Sequence, residues 1–185
     1  GKSDIAGSKR RRKRDRGKAG AGKSTLNRLE LTPADADETS RYKKIALDTA
    51  KVDETLVNVY IQRQPRQPAQ IVLDLDATDD RLHGNQEGRF YHGYYGGYCY
   101  LPLYIFSGEH VLCARLRESN QDASAGALEE VERIVKQLRG TWPDVEIMLR
   151  ADSGFCREEL MSWCERQQVD YLFGLAKNKR LLKRI

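Results

Sequence analysis

The sequence has no long apolar run. Its longest apolar-aromatic stretch, Tyr98–Phe106, is interrupted by Pro102. That is too short to cross a bilayer, so no membrane role is expected. Residues 1–20 lack the apolar core of a secretory signal, so none is expected. Cysteine is scarce and poorly spaced for chemistry. Cys99, Cys113, Cys156 and Cys164 include no C-x-x-C pair, and His83, His92 and His110 are not placed beside them as zinc partners. Reduced, mostly buried thiols in a cytoplasmic protein are the expectation. No segment repeats.

What is present is enough for a core. The chain has 185 residues, of which 39% are hydrophobic. That fits one domain with a tail. The formal net charge is +5, but it is unevenly spread. Residues 9–18 (KRRRKRDRGK) carry +7, which leaves −2 on the rest. The basicity therefore belongs to a tail. The run reads as a solvated tail, a non-specific nucleic-acid arm or a nuclear-localisation-like patch; as an arm, Arg10, Arg11, Arg12 and Lys13 are its candidate DNA contacts, through salt-sensitive attraction to phosphate.

The pattern along the chain divides it into three parts. Residues 1–21 read as a disordered basic tail. Residues 22–70 read as a helical segment and linker, with a short helix capped by Ser24, an acidic linker at Pro33–Ser40 and a helix over Leu47–Ile61. Residues 71–185 carry the order β-β-β-α-β-α-β. The strands fall at Ile71–Asp76, within Phe90–Phe106 as one or two strands, and at Val111–Arg117, Val145–Ala151 and Tyr171–Leu175. The helices fall at Ser124–Arg139, with Gly140 as its C′ residue, and at Arg157–Gln168. Three consecutive strands form an antiparallel meander, and the later crossovers add parallel strands. The expected fold is α/β, a mixed sheet with helices on its faces.

This topology has a chemical consequence. If the fourth strand lies beside the first and parallel to it, their carboxyl ends are neighbours. Asp76 ends one and Asp152 follows the other. The ordinary reading of a single strand-end aspartate is a cap. Two brought together repel unless a cation sits between them. Mg²⁺ suits such an oxygen pair, and Mn²⁺ can substitute. Asp74 shares the face of Asp76, and Asp79 and Asp80 follow, so the spacing alone does not single out Asp76. Arg150 and Arg157 flank the Asp152 segment as candidate phosphate contacts.

Gly17–Ser24 (GKAGAGKS) matches the P-loop pattern. A P-loop needs a buried strand leading into it, and Lys9–Arg16 cannot be one. The aromatic run Tyr91–Tyr104 could stack on single-stranded DNA. An ordinary half-buried strand explains it more simply.

Five segments together carry a resemblance. They are GKSTLNRLEL (Gly22–Leu31), IVLDLDATDDRLHGNQEGRFYHGYYGGYCYLPLYIF (Ile71–Phe106), SNQDASAGA (Ser119–Ala127), LRADSGFCREELMSWCE (Leu149–Glu165) and DYLFGLAKN (Asp170–Asn178). In this order and spacing they resemble the DDE transposases of bacterial insertion sequences, of the IS1380 family within the IS4-like group. The resemblance spans Gly22 to Ile185. It implies a ribonuclease H-like core, incomplete at its C-terminal end, and Mg²⁺-dependent DNA cleavage and strand transfer at element ends. It implies a cytoplasmic, nucleoid-associated protein whose partners are element ends and target DNA, and it admits a homodimer. It maps the first two catalytic and metal-binding carboxylates onto Asp76 and Asp152. The family's third carboxylate is a glutamate on a later helix beyond an inserted segment. No matching motif occurs before Ile185, so the chain is expected to be a transposase fragment. A catalytically inactive DNA-binding remnant is the alternative, and a P-loop nucleotide-binding protein a third reading.

Overall fold

A computed structural model describes residues 48–184. The basic segment with Arg10, Arg11, Arg12 and Lys13, the GKAGAGKS stretch, the helix expected after Ser24 and the acidic linker lie outside the described residues.

The first described helix, α1, spans Thr49–Arg63 and buries Asp53, Val57 and Tyr60. A Pro-containing connection leads to β1, Gln70–Ala77. In β1 the alternation is strict. Ile71, Leu73 and Leu75 are buried, Val72 and Asp74 are half-buried, and Asp76 is exposed. Such alternation is what a strand with one covered face requires.

The aromatic stretch after β1 forms three strands, where the sequence suggests one or two. β3 (Phe90–His92) and β4 (Gly97–Tyr100) are joined by a tight turn and pair antiparallel, with Tyr91 opposite Tyr98. Together with the two-residue β2, Asp80–Arg81, they form a separate small sheet of order β2-β4-β3. Pro102 then intervenes, and Leu103–Ser107 begins the main sheet again as β5. Proline has no N–H to give a ladder, so it separates strands that would otherwise run together.

β6 spans His110–Arg115 and α2 spans Ala127–Thr141. Gly140 lies inside this helix instead of ending it. The end falls at Trp142, whose N–H bonds the Leu138 carbonyl at 2.8 Å. Trp142 is buried, and Pro143 follows it and cannot continue the helix. β7 (Glu146–Ala151), a single 3₁₀ turn (Ser153–Phe155), α3 (Glu158–Gln167), β8 (Asp170–Phe173) and the short α4 (Lys179–Leu182) complete the order.

The main sheet has the order β6-β5-β1-β7-β8. β5 runs antiparallel between β6 and β1, and β7 and β8 extend the sheet parallel to β1. This is the ribonuclease H-like mixed sheet that the resemblance implies. The inward side chains of β1, β5 and β7 share one core with Val57 and Tyr60 of α1, Val131, Ile134, Val135 and Leu138 of α2, and Leu160, Trp163 and Cys164 of α3. All three helices therefore pack on the same face. On the other face Val72, Tyr104, Phe106 and Met148 stay half-exposed. The core carries the main stability, since each fully buried aliphatic side chain contributes about 1.5–3 kcal/mol.

Among the described residues, charge is buried in one place. Asp53 of α1 and Glu130 of α2 are both buried, and Arg115 of β6 bridges them. It donates to each at 2.7 Å, and Arg133 adds a bond to Glu130 at 2.9 Å. Burial opposes the Glu130 charge, but the two guanidiniums outweigh it and hold the carboxyl below its usual range. Cys99, Cys113 and Cys164 are buried free thiols. Burial, ahead of the nearby Glu130 charge, pushes the Cys113 thiol up to about 12, which leaves it unreactive at neutral pH.

Candidate functional site

The parallel pairing of β1 with β7 sets the site. The register runs from Gln70 opposite Glu146 to Leu75 opposite Ala151. The next position along the two chains is Asp76 and Asp152. Adjacent strands lie about 5 Å apart, so two carboxylates separated by 75 intervening residues are brought side by side. Both are exposed. The side chain of Asp76 lies on the face that the three helices leave open.

Partners distinguish the aspartates that spacing could not. Asp74 is gripped by Arg150, its direct cross-strand neighbour, with bonds of 2.5 and 2.9 Å. Asp79 pairs with Arg81 at 3.0 Å. Asp80 sits in the small sheet opposite Tyr100. No described hydrogen bond or ion pair engages the Asp76 carboxylate. Asp152 does act as a cap: its Oδ1 accepts from the Gly154 N–H at 2.8 Å and starts the 3₁₀ turn. That bond leaves Oδ2 available, so capping and ligation are compatible.

The Asp152 loop is enclosed on two sides. A Cβ on Gly154 would lie 2.9 Å from Asp152 Oδ1 and 3.3 Å from Ala123 Cβ. A Cβ on Gly174, just after β8, would lie 2.9 Å from the Ser153 nitrogen and 3.2 Å from the Asp152 carbonyl carbon. Both positions require glycine for close approach, not for a left-handed conformation. The Gly174 N–H also bonds the Ala151 carbonyl at 3.0 Å.

The loop carrying Ala123 is itself tightly held. Asp122 Oδ1 accepts from the Ser124 backbone at 2.9 Å and from its hydroxyl at 2.6 Å. Asp122 Oδ2 accepts from Arg157 at 2.7 Å. The Ser124 hydroxyl first, and Arg157 second, hold the Asp122 carboxyl down to about 2. Arg117 reaches under the same loop and donates to the carbonyls of Leu101, Ala123 and Ala125. Arg150 and Arg157, expected as phosphate contacts, thus each hold an acidic partner within the chain, Asp74 and Asp122. Neither periodicity nor spacing assigns a role to Asp122, Arg117 or Gly174. The SNQDASAGA and GLAKN segments that contain Asp122 and Gly174 were the only signal.

Tyr95 closes the site from the small sheet. Its hydroxyl donates to the Ala77 carbonyl at 3.4 Å, and its own carbonyl accepts from Arg81. Burial raises the Tyr95 hydroxyl above its ordinary value. The negative charges of Asp79, Asp76 and Asp152 add to the effect, as does Tyr94. The turn holding Tyr94 and Tyr95 thus reaches the end of β1.

Two carboxylates with unshared oxygens suit a hard divalent cation that keeps several waters. Among the described residues, no group of three or more His, Cys, Asp or Glu side chains is placed to hold a metal ion. No helix among them is long and apolar enough to cross a membrane.

Solved structures similar to this chain include the piggyBac transposase synaptic complex with hairpin DNA, with a TM-score of 0.40 and 17% identity, covering 62% of this chain and 24% of that one. The catalytic domain of Mos1 mariner transposase gives 0.43 and 8% identity, covering 74% and 66%. The Mos1 strand transfer complex gives 0.38 and 12% identity, covering 83% and 50%. The chain thus spans about a quarter to two thirds of the length of these proteins. No curated protein sequence matches it. The family model described as "Transposase DDE domain group 1" matches residues 5–185, nearly the whole chain, and the chain belongs to that family.

Proposed function

We propose that this chain is the catalytic segment of a transposase that cleaves DNA at the ends of a bacterial insertion sequence and joins them to target DNA. The observation that carries the reading is the juxtaposition of Asp76 and Asp152 at the ends of adjacent parallel strands, with Asp76 unpartnered among the described residues and Asp152 only half engaged. In this reading Asp76 and Asp152 hold Mg²⁺, for which Mn²⁺ substitutes. Such a bound cation lowers the pKa of an attacking water or hydroxyl and neutralises charge on the phosphate. The five quoted segments support assignment to the IS1380 type.

The residues around the pair supply positioning. The Gly154 N–H fixes Asp152 Oδ1, so Oδ2 presents in one direction. Arg150 neutralises Asp74, which relieves the repulsion that a third carboxylate on the same face would add. DNA approaches from the open face of the sheet, where no described helix obstructs the carboxylates. In the transfer reaction a water first attacks the phosphorus of the scissile bond and a 3′-hydroxyl leaves. That hydroxyl then attacks a target phosphodiester and expels a second 3′-hydroxyl.

The test is nicking of supercoiled plasmid by this chain and its Asp152→Asn variant, with Mg²⁺, Mn²⁺ or chelator. Nicking that needs the ion and falls to background in the variant is the expected result. DNA binding without metal-dependent nicking by either protein favours the second reading, a DNA-binding remnant. The absence of a third ligand among the described residues is the observation behind that reading.

A further inference from the structure

The connection from β6 to α2 has no regular strand or helix of its own, yet one residue holds its middle in place. Arg117 lies two positions past β6 and is half-buried. Its main-chain carbonyl accepts from the Leu101 N–H at 2.9 Å, where the chain passes from the small sheet to the main one. Its guanidinium then spans two segments. Nε donates to the Leu101 carbonyl at 2.9 Å, Nη2 to the Ala123 carbonyl at 3.1 Å and Nη1 to the Ala125 carbonyl. All three bonds go to main-chain oxygens, so the side chain orders backbone. An arginine suits this task because its donors point in fixed, coplanar directions that an ammonium does not reproduce.

What the loop touches gives this hold a consequence. The Ala123 methyl faces Gly154, where an added Cβ would come within 3.3 Å of it. The Gly154 N–H is the donor that fixes Asp152 Oδ1, at 2.8 Å. At the preceding position Asp122 clasps Arg157, just ahead of α3, at 2.7 Å. Loop and turn therefore meet at residues 122 and 123, and the carbonyls of Ala123 and Ala125 are the ones Arg117 holds. Without the fork, the loop would rest on the Asp122–Arg157 pair, which is half-exposed and weak alone. A group that holds the partner of a metal ligand tunes that ligand without touching the ion.

We infer that Arg117 is a positioning residue for the carboxylate pair. Through the Ala123–Ala125 backbone it keeps the Ala123 methyl against Gly154. The Gly154 N–H thereby stays on Asp152 Oδ1, and Oδ2 stays free for a cation. The inference rests on the reading of Asp76 and Asp152 as metal ligands.

The experiment uses the whole chain and two variants. Arg117→Lys keeps the charge and the apolar stem but not the fork. Ala123→Gly leaves Arg117 intact and deletes the methyl over Gly154. Nuclear magnetic resonance follows the Gly154 amide, by its proton shift and its exchange with solvent. The amides of Leu73 in β1 and Leu149 in β7, both fully buried, serve as reference. Paramagnetic resonance of the free ion gives Mn²⁺ affinity. Outer partners of metal ligands carry about ten- to a hundredfold in affinity, and Arg117 acts one contact further out, so each variant should lose about tenfold. The Gly154 amide should exchange faster and lose its hydrogen-bonded shift, while Leu73 and Leu149 keep their rates. Equal acceleration of all three amides shows general loosening and overturns the inference. Wild-type Gly154 exchange together with wild-type Mn²⁺ affinity in Arg117→Lys overturns it too. Plasmid nicking, with Asp152→Asn as control, separates the two claims. If the wild type neither takes up Mn²⁺ nor nicks, but both variants release the Gly154 amide, the hold on Asp152 stands and the metal reading falls. If the wild type nicks with metal and Arg117→Lys matches it in nicking, Mn²⁺ affinity and Gly154 exchange, the reading stands and Arg117 has no part in it.

Discussion

Gly174→Ala tests how closely the Asp152 loop is held. The added methyl would sit 2.9 Å from the Ser153 nitrogen, 3.2 Å from the Asp152 carbonyl carbon and 3.5 Å from its Cα. All three neighbours are backbone atoms, so no flexible side chain can swing aside. Restoring an ordinary contact of 3.4 Å to the nearest atom requires a shift of about 0.5 Å, from 2.9 Å. The chain must move either the end of β8 or the Asp152–Ser153 backbone. Overpacking of this kind costs about 1–3 kcal/mol. Functional groups need placement within about 0.5 Å, and a displacement of about 1 Å costs about a hundredfold in rate. Metal-dependent plasmid nicking should therefore fall about tenfold or more, and Mn²⁺ affinity, read by paramagnetic resonance of the free ion, should fall with it. Thermal unfolding checks that the variant is folded. A folded Gly174→Ala protein with unchanged Mn²⁺ affinity and unchanged nicking would refute the claim that this contact positions Asp152.

Other substitutions probe the surroundings. Gly140→Ala meets no atom within 4 Å and sits inside α2, so it should raise stability by about 0.5–1 kcal/mol in urea unfolding, with no change in DNA binding. Glu130→Gln removes the charge shared by Arg115 and Arg133 and leaves Arg115 with Asp53 as its one carboxylate partner. Breaking a fully buried pair costs about 3–5 kcal/mol, but Arg115 and Arg133 are about a third exposed, so a loss of about 2–3 kcal/mol is expected from denaturant titration. Asp122 carries a pH signature. Its folded value of about 2 lies below the usual carboxylate value, so its stabilisation is complete above about pH 4 and is lost as pH falls toward 2. Because its side chain is half exposed, screening reduces the effect to no more than about 1 kcal/mol. Acid unfolding of Asp122→Asn should lack that part of the slope between pH 4 and 2. An unchanged slope would show that the Ser124 and Arg157 bonds do not persist in solution.

Much of the frame was legible along the chain, for a local reason. Alternation in Ile71–Asp76, the apolar stripe of Leu128–Leu138 and the strand-helix-strand order at the C-terminal end are set by neighbours within a few residues. The right-handed crossover rule made the later strands parallel; that β7 lies beside β1, and Asp152 beside Asp76, was a condition that the pairing of the two strands meets. Where local rules compete, tertiary burial decides. Gly140 is a good helix stop, but burial of Trp142 drew the helix past it. The aromatic stretch has uniform strand propensity, and only Pro102 and the Gly-flanked turn divide it between two sheets.

What the sequence could not decide was which charges meet. Asp74, Asp76, Asp79 and Asp80 are equivalent by composition and spacing. They separate only when β7 brings Arg150 across from Asp74, and when Arg81 folds back on Asp79. The holding of Asp152 by Gly154, Gly174 and the Asp122 loop joins segments up to 52 residues apart, from Asp122 to Gly174, and no periodicity records such contacts. The sequence by itself determined the strand alternation, the helices and the parallel sense of the later strands, because these follow from side-chain period and backbone chirality. Only the tertiary structure decided which carboxylate stays unpaired, which arginines are already engaged and which aromatics face solvent, because partnering and exposure depend on distances between segments remote in the chain.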